Sequence, residues 1–257
     1  MKSILLIKLG GSVITDKNIQ YKAKIEAIRR LAQELKKSKN PVILAHGSGS
    51  FGHPSAVKFG GKKGYKSRQG IAKVARDAME INRIVMDILV EQDLPAISFR
   101  PMSIILAEKG KLEENFFEVI EETVSQGLVP VVYGDVIIDK KWKTTIYSGE
   151  TTLNNIGIYL MNKGYKISKI IQAGETDGVY DDNKKTIPEI SRKNWNKVKN
   201  FIYNTGRSDV TGEMSHKIED AFNMADKGIK TYLINGNRKK ELEKAILGMP
   251  TQGTLIN

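Results

Sequence analysis

Ser3-Ile-Leu-Leu-Ile-Lys-Leu-Gly10-Gly11-Ser12 is the stretch on which the fold turns. A near-continuous apolar run ending on a glycine pair reads as a strand buried on both faces that feeds a tight turn, the signature of a parallel sheet covered by helices. The same order repeats outward from it. Residues 22–37 carry Ile25, Ile28, Leu31, Ala32 and Leu35 on one helical stripe. Pro41 opens a second apolar strand, residues 42–45, which runs into a glycine-rich turn, and a long helix over about 67–92 follows, with Ile71, Val74, Ala75, Ala78, Ile81, Val85, Ile88 and Leu89 at three- and four-residue spacing. Beyond it the patterning predicts a strand at 95–99, a helix near 114–126, a strand at 129–133 and a β-hairpin over 135–147 turning at Lys140-Lys141. A helix at 151–163, a strand at 167–173, an irregular polar stretch from about 181 to 205, a helix at 214–227, a strand at 230–234 and a helix at 238–247 complete the chain. The expectation is an α/β fold: a three-layer αβα sandwich with a mainly parallel central sheet, helices on both faces and a hairpin insertion.

The 257 residues suffice for one large domain or two small ones, and 40% hydrophobic with 27% charged residues is a globular composition. Neither a run long enough to span a bilayer nor a leader pattern after Met1-Lys2-Ser3-Ile4 is present, so a soluble cytoplasmic protein is expected. With no cysteine, disulfides, thiolate zinc sites and cysteine nucleophiles are excluded. A net charge of +12 predicts anionic partners without choosing among nucleic acid, membrane headgroups and phosphorylated metabolites.

Ligands of parallel sheets bind beyond the carboxyl ends of the strands, and two such loops are rich in glycine: Lys8-Leu-Gly10-Gly11-Ser12 and His46-Gly47-Ser48-Gly49-Ser50-Phe51-Gly52-His53. Successive glycine N–H groups can cradle phosphate oxygens. The second loop matches G-x-G-x-x-G, but His53-Pro54 is expected to interrupt a helix start, and residues 54–76 hold no acid for a ribose, so a dinucleotide fold is disfavoured. Those same residues carry Lys58, Lys62, Lys63, Lys66, Arg68, Lys73 and Arg76, either a solvated basic face or a rim that steers an anion inward.

Lys8, near the end of a buried strand, would be costly if unpaired, and a bound phosphate explains it better than a structural ion pair. Lys217 is expected in the first turn of a helix starting near Met214, where the macrodipole disfavours a cation unless a ligand anion is present. Lys17 is a third candidate, and His53 stands out at the end of its glycine loop, whereas His46 and His216 read as structural or incidental.

Taken in order, Lys8-Leu-Gly-Gly-Ser-Val-Ile-Thr15 with Lys17, the loop His46 to His53, Gly134-Asp135, Ser148-Gly149, Thr176-Asp-Gly-Val-Tyr180, and Asp209-Val-Thr-Gly212 with Lys217 resemble the isopentenyl phosphate kinases of the amino acid kinase superfamily, from end to end of the chain. The resemblance implies a single domain, with an acceptor-binding part at about 1–165 and a nucleotide-binding part at about 166–257. It implies that Lys8, Gly10, Gly11 and Ser12 hold the ATP phosphates, that Lys17 and Lys217 neutralise the transferring phosphoryl group, and that Gly49 donates an N–H. Ser48, Gly52, His53 and Gly149 would bind the acceptor phosphate. Asp177, Gly178 and Tyr180 would lie along the nucleotide, and Gly212 in its lid. Met79, Met86, Val136 and Ile146 are candidates for lining the hydrocarbon tail, and Mg²⁺ and a homodimer are implied as well. Ser48, Glu150 and Glu213 depart from the family's usual Gly, Asp and Gly. Other kinases of the superfamily, acting on fosfomycin, UMP or a carboxylate such as acetylglutamate, remain alternatives, as does nonspecific nucleic-acid binding suggested by charge alone.

Overall fold

Side chains alternate across a strand, and the first strand, β1 (Ile4–Leu9), shows what that alternation separates. Leu5, Ile7 and Leu9 enter one hydrophobic cluster while Ile4 and Leu6 enter another, so Lys8 points to the same side as Ile4 and Leu6. The computed structural model describes residues 3–204 and 213–257.

After β1 come α1 (Gly11–Ile14), α2 (Ile25–Leu35), β2 (Val42–His46), α3 (Gly49–Phe59), the short strands β3 (Gly60–Gly61) and β4 (Gly64–Tyr65), and α4 (Arg68–Glu91). The middle of the chain holds β5 (Ala96–Ser98), α5 (Pro101–Ile104), β6 (Ile105–Glu108), β7 (Lys111–Asn115), α6 (Glu118–Ser125), β8 (Val129–Tyr133), β9 (Asp135–Asp139) and β10 (Lys143–Tyr147). The last part holds α7 (Gly149–Asn162), β11 (Ile167–Gly174), β12 (Glu189–Ile190), α8 (Trp195–Asn204), α9 (Glu213–Ala225), β13 (Thr231–Asn235), α10 (Glu241–Leu247) and β14 (Gly253–Ile256).

The central sheet runs β12-β14-β13-β11-β1-β2-β8-β5, with every pairing parallel except β13 to β14. From β1 the chain steps to β2 and on to the edge strand β5, then returns to lay β8 between them; from β11 it steps the opposite way, to β13. Right-handed crossovers in opposite directions must use opposite faces. Accordingly α2, α4 and α10 pack into one cluster with Leu5, Ile7 and Leu9, while α6, α7 and Met224 of α9 pack into the other with Ile4 and Leu6. The boundary between β1 and β11, where Lys8 lies in register with Gln172, is therefore the topological switch point.

Three local expectations change. The polar stretch 181–205 contains β12 and the helix α8, whose Trp195 and Val198 pack on Phe222 and Ile218. The region before α6 holds a second hairpin, β6–β7, which joins the expected β9–β10 hairpin in a sheet ordered β10-β9-β6-β7. Pro54 does not interrupt a helix start: α3 begins at Gly49 and carries Pro54 inside it. Proline has no N–H for the carbonyl four residues back, which leaves the Ser50 carbonyl free. Tyr21 N–H donates to it at 3.3 Å, pinning the loop that carries Lys17 to α3. The Tyr21 hydroxyl extends this tie by donating to the buried carboxylate of Asp77 at 2.8 Å.

Replacing Pro54 with Ala restores an N–H that competes for the Ser50 carbonyl. The expected result is an intact α3 and hydrogen exchange at the Tyr21 amide faster by roughly tenfold, the weight of about one hydrogen bond, read by exchange mass spectrometry or NMR.

Candidate active site

The first N–H groups of a helix have no intrahelical acceptor, and a helix start is an electropositive pole. Three helices, α1, α3 and α7, begin directly after β1, β2 and the hairpin, and their starts meet at the switch point. Glycine makes the approach possible. A methyl group on Gly11 would sit 2.6 Å from the Gly49 nitrogen, one on Gly47 2.7 Å from the Gly11 nitrogen, and one on Gly149 2.5 Å from the His46 carbonyl oxygen. Gly49 is also the position that demands glycine by conformation, with φ of +46° and Thr15 Oγ1 against it. Thr15 fastens the two loops: its hydroxyl donates to the Gly11 carbonyl at 2.7 Å and accepts from Ser50 N–H at 3.0 Å.

Lys8 enters this ring from β1, its side chain 14% exposed, with Nζ 3.7 Å from Glu150 Oε2 in the first turn of α7. Gln172 Nε2 donates to the other Glu150 oxygen at 2.9 Å. The structure thus provides the ion pair that the sequence reading ranked second to a phosphate, at a separation too long for a good hydrogen bond. Asp220, on α9, lies within electrostatic reach of Glu150; burial first, and the Glu150 charge second, push its carboxyl up to about 6. Lys217 precedes Asp220 by three residues on the same helix, α9. Because α9 starts at Glu213, Lys217 lies just past the first turn rather than in it.

Lys17 pairs with Glu175 in the loop after β11, so its ammonium bridges the two sides of the switch point. His53 is exposed on α3, one residue past the buried Gly52, whose α-carbon packs on Ser48. Asp177 does not face outward: Arg238 clamps it with bonds of 2.6 and 2.7 Å, Asn235 adds one of 2.8 Å, and these bonds hold its carboxyl below the ordinary range against the opposing effect of burial. The Tyr180 hydroxyl accepts from Asp177 N–H, and Gly178, at φ of +99°, packs on Thr254 of β14. Gly212 lies outside the described residues.

Of the tail-lining candidates, Val136 joins Val74 and Ala75 in an apolar cluster flanked by Ala56, Phe59, Ile71 and Met102, and Ile146 packs beside Gly61. Met79 is exposed, and Met86 packs on the main core instead. The basic run is less free than its sequence suggests. Lys73 bonds Asp77, one residue beyond the acid-free stretch, and Lys58 and Lys63 stack on Phe59 and Trp142. Glu150, Gln172, Glu175, Asp220 and Arg238 were not singled out as site residues from sequence. Only strand register could have placed Gln172 next to Lys8, and of the five only Glu150 carries a local mark, its place after Ser148-Gly149.

A lysine between two parallel strands, ringed by helix starts, defines a protein that handles phosphoryl groups: a phosphotransferase of α/β architecture. The chain belongs to the amino acid kinase family, whose model matches residues 3–235. It is 34% identical to the isopentenyl phosphate kinase of Methanocaldococcus jannaschii over 99% of this chain and 98% of that protein. It is 31% identical to the isopentenyl phosphate kinase of Methanothermobacter thermautotrophicus over 98% of each. A solved isopentenyl phosphate kinase structure superposes with a TM-score of 0.82 at 28% identity, covering 98% of this chain and all of that one. Similarity extends more weakly to an acetylglutamate kinase from Pelagibacter ubique, 26% identical over 98% of this chain and 88% of that protein. Among the described residues no helix is long and apolar enough to cross a membrane.

Two outcomes check this geometry. Gly11→Ala forces the glycine loops apart and is expected to destabilise the fold by about 2–4 kcal/mol in denaturant titration. Asp220 holds its proton to higher pH when folded than when unfolded, so its contribution to stability falls as pH rises from about 4 to about 6 and stays unfavourable above that. Asp220→Asn should therefore raise the melting temperature at pH 7.5 by about 2–4 °C, roughly 1 kcal/mol, and leave it unchanged at pH 3.5.

Proposed function

We propose that the protein transfers the γ-phosphoryl group of ATP to the phosphate of isopentenyl phosphate, giving isopentenyl diphosphate and ADP, a step of isoprenoid biosynthesis by the alternative mevalonate route. The convergence of three helix starts around Lys8 is the observation that carries this reading. An oxygen of the acceptor phosphate attacks the γ-phosphorus as the bond to the β–γ bridging oxygen breaks, and ADP leaves. A phosphomonoester is largely a dianion at neutral pH, so no general base is needed. What the reaction does need is relief of repulsion between two anions, which backbone N–H groups and lysines supply.

In this reading Lys8, Gly10, Gly11 and Ser12 hold the ATP phosphates, Lys17 exchanges Glu175 for the transferring group, and Lys217 approaches from α9. Ser48, Gly52, His53 and Gly149 hold the acceptor phosphate, and Gly49 donates its N–H on the ATP side. The apolar wall of Val74, Ala75 and Val136 suits a hydrocarbon tail, whereas an acetylglutamate-type acceptor would need a cation there for its carboxylate. Asp177 acts through Arg238 and Asn235 to shape the loop carrying Gly178 and Tyr180 along the nucleotide.

Among the described residues, no three His, Asp or Glu side chains cluster to hold a metal by themselves. The site fits a Mg²⁺ carried on the phosphate oxygens of ATP, where it would neutralise charge. The division into an acceptor part at about 1–165 and a nucleotide part at about 166–257, a cytoplasmic homodimer, and only nonspecific, salt-sensitive binding of nucleic acid belong to the same reading.

A coupled ADP-release assay across isopentenyl phosphate, fosfomycin, UMP and N-acetylglutamate should show turnover mainly on isopentenyl phosphate; turnover on the amino acid alone overturns the assignment. Lys8→Ala should lower kcat by about 10²–10³, the usual loss for one transition-state donor. His53→Ala should chiefly raise KM for the acceptor, and unchanged kinetics would remove that residue from the site.

A further inference from the structure

His46, which reads from sequence as structural or incidental, holds the turn between β2 and α3. It is fully buried at the end of β2, on the side facing α4, and its ring stacks on Tyr133 with centroids 5.6 Å apart and planes 14° from parallel. Nδ1 lies 3.0 Å from the Gly47 carbonyl oxygen and Nε2 lies 3.1 Å from the side-chain amide oxygen of Asn82, whose amino group reaches Ser98 Oγ at 2.8 Å. The main chain of the same residue takes part as well: its carbonyl accepts from Gly134 N–H at 2.9 Å and lies against Gly149.

Burial holds the imidazole below its ordinary pKa, so the ring is neutral and carries one N–H. A backbone carbonyl can only accept, which assigns that proton to Nδ1. Nε2 is then an acceptor, and the Asn82 amide satisfies it by turning end for end, presenting NH₂ to the ring and its oxygen to the Ser98 hydroxyl. The Gly47–Ser48 peptide is planar and trans, so its N–H points away from its C=O. Holding the carbonyl on the His46 side turns the Ser48 N–H away from the ring, and the Ser48 nitrogen lies near the start of α7: a methyl on Gly134 would lie 3.7 Å from it and 3.5 Å from the Gly149 nitrogen.

We infer that His46, oriented by Asn82, is a positioning residue that sets the Gly47–Ser48 peptide so that the Ser48 N–H faces the acceptor phosphate. The inference rests on the proposed function for the identity of that phosphate, and the geometry of the ring stands apart from it.

Two substitutions separate the ring's two bonds. The amide nitrogen of Asn falls near Nδ1 of the histidine it replaces, and that of Gln near Nε2. His46→Asn should keep the tie to the Gly47 carbonyl and hold KM for isopentenyl phosphate within about threefold of wild type, while His46→Gln loses the tie and should raise that KM about tenfold with KM for ATP little changed, one hydrogen bond's worth of binding. Both remove the same ring, so equal effects would mean that His46 only fills space and would overturn the inference. Long-range ¹H–¹⁵N spectra of the wild-type protein supply the second test: His46 should show the Nδ1–H tautomer without titrating between pH 6 and 8. A proton on Nε2, or titration in that range, overturns the inference even if neither variant folds. Absence of any turnover of isopentenyl phosphate by the wild type would refute the proposed function and leave the tautomer result to decide the geometry.

Discussion

Backbone amides repel one another when their N–H groups point to one place, and the site consists of three helix starts held in that arrangement. The repulsion is overcome by contact: Gly11, Gly47, Gly49 and Gly149 allow main chains to pass where no methyl group fits, and Thr15 hydrogen-bonds both loops at once. The result is a concentration of positive potential that an anion relieves. Glu150, set among Lys8, Gln172 and Asp220, places a carboxylate of the protein's own beside that potential.

The sheet explains why this happens in one place. The order of β11, β1 and β2 puts a reversal of winding direction beside Lys8, and a crevice opens at such a reversal because the flanking helices leave toward opposite faces. The alternation of β1 then decides that Lys8 meets α7, and the alternation of β2 decides that His46 meets α4. Both orientations follow from the parity of residue number along a strand.

That parity marks the line between what the sequence made legible and what it did not. The strand runs, the long helix α4 and the β9–β10 hairpin are written in apolar spacing, and the glycine loops are written in composition. Pro54 misled because proline disfavours a helix interior in isolation, whereas here Tyr21 takes up the carbonyl it frees. The helix α8 was hidden by a polar stretch whose few apolar residues, Trp195 and Val198, find their partners on the distant α9. Glu150 and Asp220 are ordinary helix-surface carboxylates until the fold brings α7 and α9 together. Arg238 reads as one more cation in a basic chain until it is seen clamping Asp177.

The winding has one more implication. The chain passes from one side of the switch point to the other once, through the short connection between α7 and β11, where Gly164 takes a left-handed turn at φ of +89° and a methyl group would meet nothing within 4 Å. Everything before that turn builds the sheet from β1 outward in one direction, and everything after it builds in the other. A polypeptide opened there would divide into two pieces, one holding Lys8 and Glu150 and the other Gln172, Asp220 and Lys217. Neither piece carries the whole charge constellation, so the site is a joint property of two halves that the chain merely keeps in the same molecule.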